Sequence, residues 1–119
     1  FIRAKGAIFS AVRTMLNSVG ATPDDLSQVI IAGGIGSGIN MANAMEIGML
    51  PKMPLEKYHY IGNSSLTGAC AMLVSDEATE KVFELSQCMT YLELSVEPGY
   101  MDEFVAACFI PHTDASLFA

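Results

Sequence analysis

The stretch VIIAGGIGSGIN, residues 29–40, carries the strongest structural signal in the sequence. Its first three residues are β-branched and show no polar alternation, which predicts a strand covered on both faces, as in the sheet of an α/β protein. Four glycines then follow between positions 33 and 38. Such a turn has two interpretations: a tight turn alone, or a bare backbone surface against which a flat or phosphorylated ligand lies.

The spacing of these glycines does not fit the two common phosphate-binding motifs. The dinucleotide fingerprint G-x-G-x-x-G starts correctly at Gly34 and Gly36, but its third glycine position holds Ile39. A P-loop requires a lysine followed by serine or threonine, and no lysine follows the glycines. In the remaining ligand interpretation, Gly33 and Gly34 let the main chain approach a planar group, and the next helix directs its N-terminus at the same place.

A second strand-and-glycine segment follows at residues 58–71. The strand predicted for residues 58–61 ends at Gly62, and Asn63 or Ser64 can cap the helix that follows. Gly62 and Asn63 are therefore candidates for the rim of a ligand pocket. The same helix is rich in small residues such as Gly68, which are better explained by close helix packing.

The rest of the chain alternates helices with these strands. The first helix carries an apolar stripe, from which Lys5 and Arg13 are excluded; the stripe is formed by Ile8, Phe9, Val12, Met15, Leu16 and Val19. The alternation predicts layered helices on a small mixed sheet, an α/β fold. The patterns predict helices over 2–20, 41–50, 64–75, 76–88 and 100–110, a helical turn over 22–28, and a third strand over 89–96.

Composition excludes several classes of function. The net charge of −7, with only six scattered basic residues, argues against nucleic acid as a partner. No apolar run reaches the length of a membrane span. Cys70, Cys88 and Cys108 lie far apart, so we expect no metal site within the chain, reduced thiols in the cytoplasm, and core positions for Cys70 and Cys108. We expect structural roles for His59 and His112, and we assign no catalytic residue.

Several segments, taken in order, resemble one known family. VIIAGGIGSGIN, AMEIGMLP, YIGNSSLTGACAML and FIPHTD together resemble the C-terminal domain of reductive activators of corrinoid proteins, in the superfamily of acetate and sugar kinases, Hsp70 and actin. The opening AKGAI segment is similar to the same activators, and the order is also similar to the ATP-dependent activators of 2-hydroxyacyl-CoA dehydratases. The resemblance implies that residues 1–119 are the C-terminal part of an actin-like ATPase domain, with a ribonuclease-H-like core, within a longer protein.

The resemblance also implies a role for the glycines. The loop from residue 33 to 37 would be the adenosine motif, which lies against the base and ribose of ATP. Together with the rim residues, the expected nucleotide-binding set is Gly33, Gly34, Ile35, Gly36, Ser37, Gly62 and Asn63. The phosphate-binding loops and the carboxylate that holds magnesium lie mostly upstream of this loop in the superfamily, outside these 119 residues.

In the family, ATP binding or hydrolysis drives an uphill electron transfer. An iron–sulfur cluster in a separate domain delivers one electron to Co(II) corrinoid and restores Co(I). The implied partner is a corrinoid protein of a methyl-transfer pathway, a homodimer is compatible with the likeness, and this chain alone is expected to be inactive.

Two alternatives stay open from the sequence. One is a half-domain of a small-metabolite or sugar kinase, which an upstream ferredoxin-type cysteine set would argue against. The other is a non-catalytic dimerisation or docking module, in which tight packing over Gly33 and Gly34 leaves no room for a ligand.

Overall fold

The chain is mainly helical, with a small parallel sheet. A computed structural model describes the backbone of residues 1–119 and every side chain except that of Ile35. The two strands, β1 (Val29–Ile31) and β2 (Tyr58–Tyr60), pair in parallel. The helices are α1 (Ile2–Ser18), α2 (Met41–Glu46), α3 (Ser64–Val74), α4 (Asp76–Cys88) and α5 (Tyr100–Ala107). No helix in this described chain is both long and apolar enough to cross a bilayer.

Most of the predicted helices and strands are confirmed. Several of their ends are set by residues nearby in the sequence. Helix α1 ends where Gly20 takes a left-handed φ of 70°. The turn Pro23–Asp25 begins with a capping box, in which Asp25 Oδ2 accepts hydrogen bonds from the Thr22 backbone N–H (2.8 Å) and hydroxyl (3.1 Å). Helix α4 begins at its cap Ser75, whose hydroxyl accepts from the Ala78 N–H.

The strand predicted over residues 89–96 is wrong. The sheet consists of the parallel pair β1 and β2, so it is parallel and not mixed as predicted. A 3-10 turn, Leu94–Val96, occupies the end of this segment. The Glu93 carboxylate accepts hydrogen bonds from the backbone N–H (3.3 Å) and the hydroxyl (2.8 Å) of Ser95. This local capping gives the backbone an alternative to strand pairing, which the alternation of apolar residues does not reveal.

The chain divides into two compact units. The first comprises residues 1–29, 39–59 and 92–119, and the second comprises residues 30–38 and 60–91. Helix α1 packs against α5 in the first unit. Among the described side chains, the buried apolar ones are Phe9, Ala44, Met45, Leu50, Met53, Tyr58 and Ala107, which belong to the first unit.

The buried face of α1 differs from the predicted apolar stripe. Met15 is 50% exposed and Val19 is 76% exposed. The residues that are buried are Lys5, Gly6, Phe9, Ser10 and Thr14. The reason is close approach at Gly6, where an added Cβ would lie 3.0 Å from Cys108 Sγ and 3.4 Å from the backbone of Ala107. Small and polar side chains therefore face α5, which hydrophobic periodicity cannot identify.

Lys5 caps the C-terminal end of α5. Its buried Nζ donates to the carbonyl oxygens of Ala107, Phe109 (2.5 Å) and Pro111 (2.6 Å). A lysine ammonium has three N–H donors, so these three carbonyls satisfy it, and its charge suits the negative end of the helix dipole. Burial lowers the pKa of Lys5, and the nearby Cys108 opposes that shift.

His112 anchors the segment that follows α5. Its Nδ1 accepts a hydrogen bond from the Asp114 N–H (2.9 Å), so the ring proton is on Nε2, which donates to the Glu103 carboxylate (2.9 Å). The ring also meets Phe9 edge-on at 5.4 Å. Both nitrogens are thus occupied in structural contacts, as the sequence suggested. His59 is exposed on β2.

The second unit contains a helical hairpin with little covering. Thr79 at the start of α4 donates its hydroxyl hydrogen to the Met72 carbonyl of α3 (2.9 Å). Within the described chain, no residue of α3 or α4 is buried.

Ile30 of β1 is 54% exposed, so the expectation of a strand covered on both faces is wrong for this chain. The core positions predicted for Cys70 and Cys108 are also wrong. Cys70 is exposed on the uncovered α3, and Cys108 is half-buried beside Gly6.

Tyr58 makes a pH-dependent contact in the first unit. Its buried hydroxyl donates to the Pro51 carbonyl over 2.5 Å, and burial raises the pKa of Tyr58 to about 12. In the unfolded chain the tyrosine pKa is about 10. Below pH 10 both states keep the proton. Between about pH 10 and 12 the unfolded chain loses it first, so the free energy of unfolding falls as the pH rises.

We therefore expect Tyr58→Phe to lower stability by about 1 kcal/mol near pH 8, because the Pro51 carbonyl loses its donor. This deficit should shrink above pH 10, where only the wild type loses the contribution of Tyr58. Urea unfolding across this pH range measures the difference, with Tyr100→Phe as the control for removing a tyrosine hydroxyl. A deficit that stays constant with pH would contradict the prediction.

Candidate functional site

The glycine loop is joined to the start of α3 through backbone hydrogen bonds. Strand β1 ends at Ile31, whose carbonyl accepts from the Ile61 N–H (3.0 Å). Two residues later the Gly33 N–H donates to the Gly62 carbonyl (2.9 Å). Gly33 has a φ of 100° and Gly62 a φ of 77°, conformations that favour glycine. The two glycine-containing segments found in the sequence therefore meet at one place in the second unit.

Three of these glycines present an open backbone. A Cβ atom placed at Gly33, Gly34 or Gly62 would have no described heavy atom within 4 Å, apart from immediate neighbours. Gly34 does not have the left-handed φ of the other two. The open main chain is what the ligand interpretation requires. The tight packing expected for a docking module is not present over these glycines in the described part of the chain.

Gly36 differs from the other loop glycines because it is buried. A Cβ there would lie 2.5 Å from Cε2 and 2.7 Å from Cδ2 of Tyr60, and 3.0 Å from a methyl of Ile31. The missing side chain of Gly36 is thus explained by aromatic packing within the protein. The family resemblance groups Gly36 with the nucleotide-binding residues, whereas in the structure Gly36 lies beneath the Tyr60 ring.

The remaining predicted site residues have structural contacts of their own. The Ser37 hydroxyl donates to the Gly34 carbonyl (2.7 Å) and closes the 3-10 turn Ile35–Gly38. Asn63 is the N-cap of α3, with Oδ1 accepting from the Leu66 N–H (3.1 Å). The side chain of Ile35 lies outside the described residues.

Tyr60 also belongs to this site, although the sequence pattern does not indicate it. Its hydroxyl donates to the Gly33 carbonyl over 2.8 Å, while its ring covers Gly36. The available signal was its position at the end of a strand, two residues before Gly62. Nothing local indicates that this side chain would cross to the glycine loop, since the two residues are separated by 27 positions.

The site is polar but carries no formal charge of its own. Residues 30–38 and 60–75 contain no Asp, Glu, Lys or Arg. The loop therefore offers backbone groups, hydroxyls and the N-terminus of α3, but no lysine or arginine of the kind that commonly binds a triphosphate. It contains no acid–base pair for catalysis.

A cavity of about 320 Å³ in the first unit lies between α1 and the segments 21–24, 51–52 and 116–117. Its lining contains no residue of the glycine loop. Among the described side chains, no group of three His, Cys, Asp or Glu lies close enough to hold a metal ion.

The fold agrees with comparisons to known proteins. Residues 1–119 match the family model of the C-terminal domain of RACo, the ASKHA domain. The class is thus that of the acetate and sugar kinase, Hsp70 and actin superfamily. Within it, the chain belongs to the family of C-terminal domains of reductive activators of corrinoid proteins.

Two relatives support this assignment. A solved structure named reductive activator for corrinoid, iron–sulfur protein superposes with a TM-score of 0.91 at 53% identity, over 98% of this chain and 19% of that one. The corrinoid activation enzyme RamQ of Eubacterium limosum is 31% identical over 102 residues, which are 86% of this chain and 17% of RamQ. The chain thus spans less than a fifth of the length of either relative.

Proposed function

We propose that this chain is the adenosine-binding portion of an ATP-dependent reductive activator, which returns a Co(II) corrinoid protein to Co(I) in a methyl-transfer pathway. The observation that carries the proposal is the open backbone at Gly33, Gly34 and Gly62, in a chain that belongs to the activator family. The partner is a corrinoid protein, because both relatives are named for corrinoid activation.

The loop fits one part of ATP. Because no Cβ intervenes at Gly33 and Gly34, the base and ribose can lie against the main chain, with Gly62 beside them. The uncharged surroundings leave the triphosphate and its magnesium to residues elsewhere in the full-length protein, which also supplies the iron–sulfur cluster. ATP supplies free energy to the electron transfer only if it binds the two states of the complex unequally.

Gly34→Val tests the nucleoside site. The backbone of Gly34 accepts a side chain, and the space above it is open, so we expect the fold to be retained. A valine there would occupy the place of the base, and we expect the dissociation constant for ATP to rise at least about tenfold, equivalent to about 1.4 kcal/mol. Calorimetric titration of the full-length protein with ATP measures the change.

Gly38→Val provides the matched control. Gly38 lies at the end of the same loop, also has open space at its Cβ position, and is not part of the proposed surface. We expect its affinity for ATP to stay near that of the wild type. Equal affinities of wild type and Gly34→Val would remove Gly34 from the site.

The product of the reaction distinguishes an activator from the kinase alternative. The full-length protein, given a reductant, ATP and the Co(II) corrinoid protein, should produce the Co(I) absorbance spectrum, with one electron transferred per cobalt. A kinase would transfer a phosphoryl group to a small acceptor and leave the cobalt spectrum unchanged. The names of both relatives favour the activator.

A further inference from the structure

The glycines of the loop divide into two groups with different surroundings. Gly33 and Gly34 are open, whereas Gly36 is buried under the ring of Tyr60. All of these residues belong to the second unit, so the arrangement is internal to it. The loop therefore has one covered side and one bare side, and Tyr60 lies on the covered side.

Tyr60 holds the loop at two points. Its ring fills the space that a side chain at Gly36 would need, and its hydroxyl donates to the Gly33 carbonyl over 2.8 Å. The Gly33 N–H is bonded to the Gly62 carbonyl over 2.9 Å. Both backbone groups of Gly33 are therefore fixed, which orients the peptide planes of a glycine whose φ of 100° is otherwise one of many accessible values.

We infer that Tyr60 is a positioning residue of the nucleoside site: it presets the glycine backbone in the conformation that the nucleoside binds. This inference rests on the proposed function. A flexible glycine loop loses conformational entropy when a ligand orders it, and a contact that orders the loop beforehand removes part of that loss from binding. The Tyr60 side chain is 40% exposed, so its hydrogen bond contributes little to the stability of the fold as a whole.

Tyr60→Phe removes the hydroxyl and retains the ring over Gly36. We expect the full-length variant to bind both ATP and adenosine roughly three- to tenfold more weakly, the range for loss of one hydrogen bond. Because the contact orders the part of the loop proposed to bind the nucleoside, which ATP and adenosine share, the factor should be the same for the two ligands. The thermal midpoint of the unliganded variant should stay close to that of the wild type. Tyr100→Phe, a tyrosine of α5, is the control and should not change either affinity.

The outcomes separate the two proposals. If the wild type binds adenosine and ATP and Tyr60→Phe binds them equally well, the positioning role is overturned while the nucleoside site stands. A variant whose unliganded thermal midpoint falls markedly, with unchanged affinity, assigns Tyr60 a purely structural role and also overturns the inference. If the wild-type full-length protein binds neither ligand, the proposed function fails and the inference fails with it.

Discussion

Gly48→Ala is expected to destabilise the first unit by about 2–5 kcal/mol. Gly48 has a φ of 79°, and a Cβ there would lie 2.2 Å from the carbonyl oxygen of Pro111 and 2.8 Å from its carbonyl carbon. The left-handed conformation alone costs an L-residue about 1–2 kcal/mol. The clash adds to this, because backbone atoms cannot move aside as a flexible side chain can, and overpacking typically costs about 1–3 kcal/mol more. The sum is a large share of a typical domain stability of about 5–15 kcal/mol.

Gly20→Ala is the matched control for the conformational part. Gly20 has a similar φ of 70°, but no atom of the described chain lies within 4 Å of its Cβ position beyond its immediate neighbours. We expect this variant to lose only about 1–2 kcal/mol. Urea unfolding and soluble yield of the two variants compare the effects. Equal losses would show that contact with Pro111 does not limit position 48.

Lys5→Met is expected to be the second strongly destabilising change. Methionine keeps most of the length and the apolar stem, but it cannot donate to the carbonyls of Ala107, Phe109 and Pro111. A buried acceptor left without a donor costs about 1–3 kcal/mol, and only the Ala107 bond is fully buried while the other two are part-buried, so the expected loss is about 1–3 kcal/mol. The effect should concentrate where these carbonyls lie, at the C-terminal end of α5.

Hydrogen exchange of the full-length protein gives a local readout for Lys5→Met. We expect faster exchange of backbone amides over residues 100–113, which include α5 and the segment after it. Lys52→Met is the control, since Lys52 is exposed and forms a surface ion pair with Glu46 across 3.6 Å. Such surface pairs contribute about 0–1 kcal/mol. Unchanged exchange over residues 100–113 in Lys5→Met would contradict the capping role of Lys5.

The geometry of the glycine loop was predicted in part. The open backbone at Gly33 and Gly34, and its neighbour Gly62, agree with the interpretation drawn from the sequence. The division between open and buried glycines could not be predicted, because it depends on the direction of the Tyr60 side chain. Two positions in one loop can thus require glycine for different reasons: open space for a ligand at one, and packing of a neighbouring side chain at the other.

The ends of several helices could be predicted from the sequence, because they depend on residues close to one another in the chain. Asn63 and Ser75 cap α3 and α4 through hydrogen bonds to residues three positions on, and Gly20 ends α1. Such contacts form within one turn, so their residue types mark helix ends in almost any tertiary setting. The family could also be identified from the sequence, because ordered motifs keep their spacing.

Only the tertiary structure decided which face of α1 is buried and what a lysine does there. Periodicity favoured an apolar stripe of which Ile8, Met15 and Val19 are exposed, whereas Lys5 is buried because it meets carbonyls 102 to 106 residues further along the chain. Burial of a charged group depends on partners that a local window does not contain. Tertiary structure also decided the state of residues 89–96. Their apolar alternation is typical of a strand, but the segment forms a 3-10 turn capped by Glu93 instead.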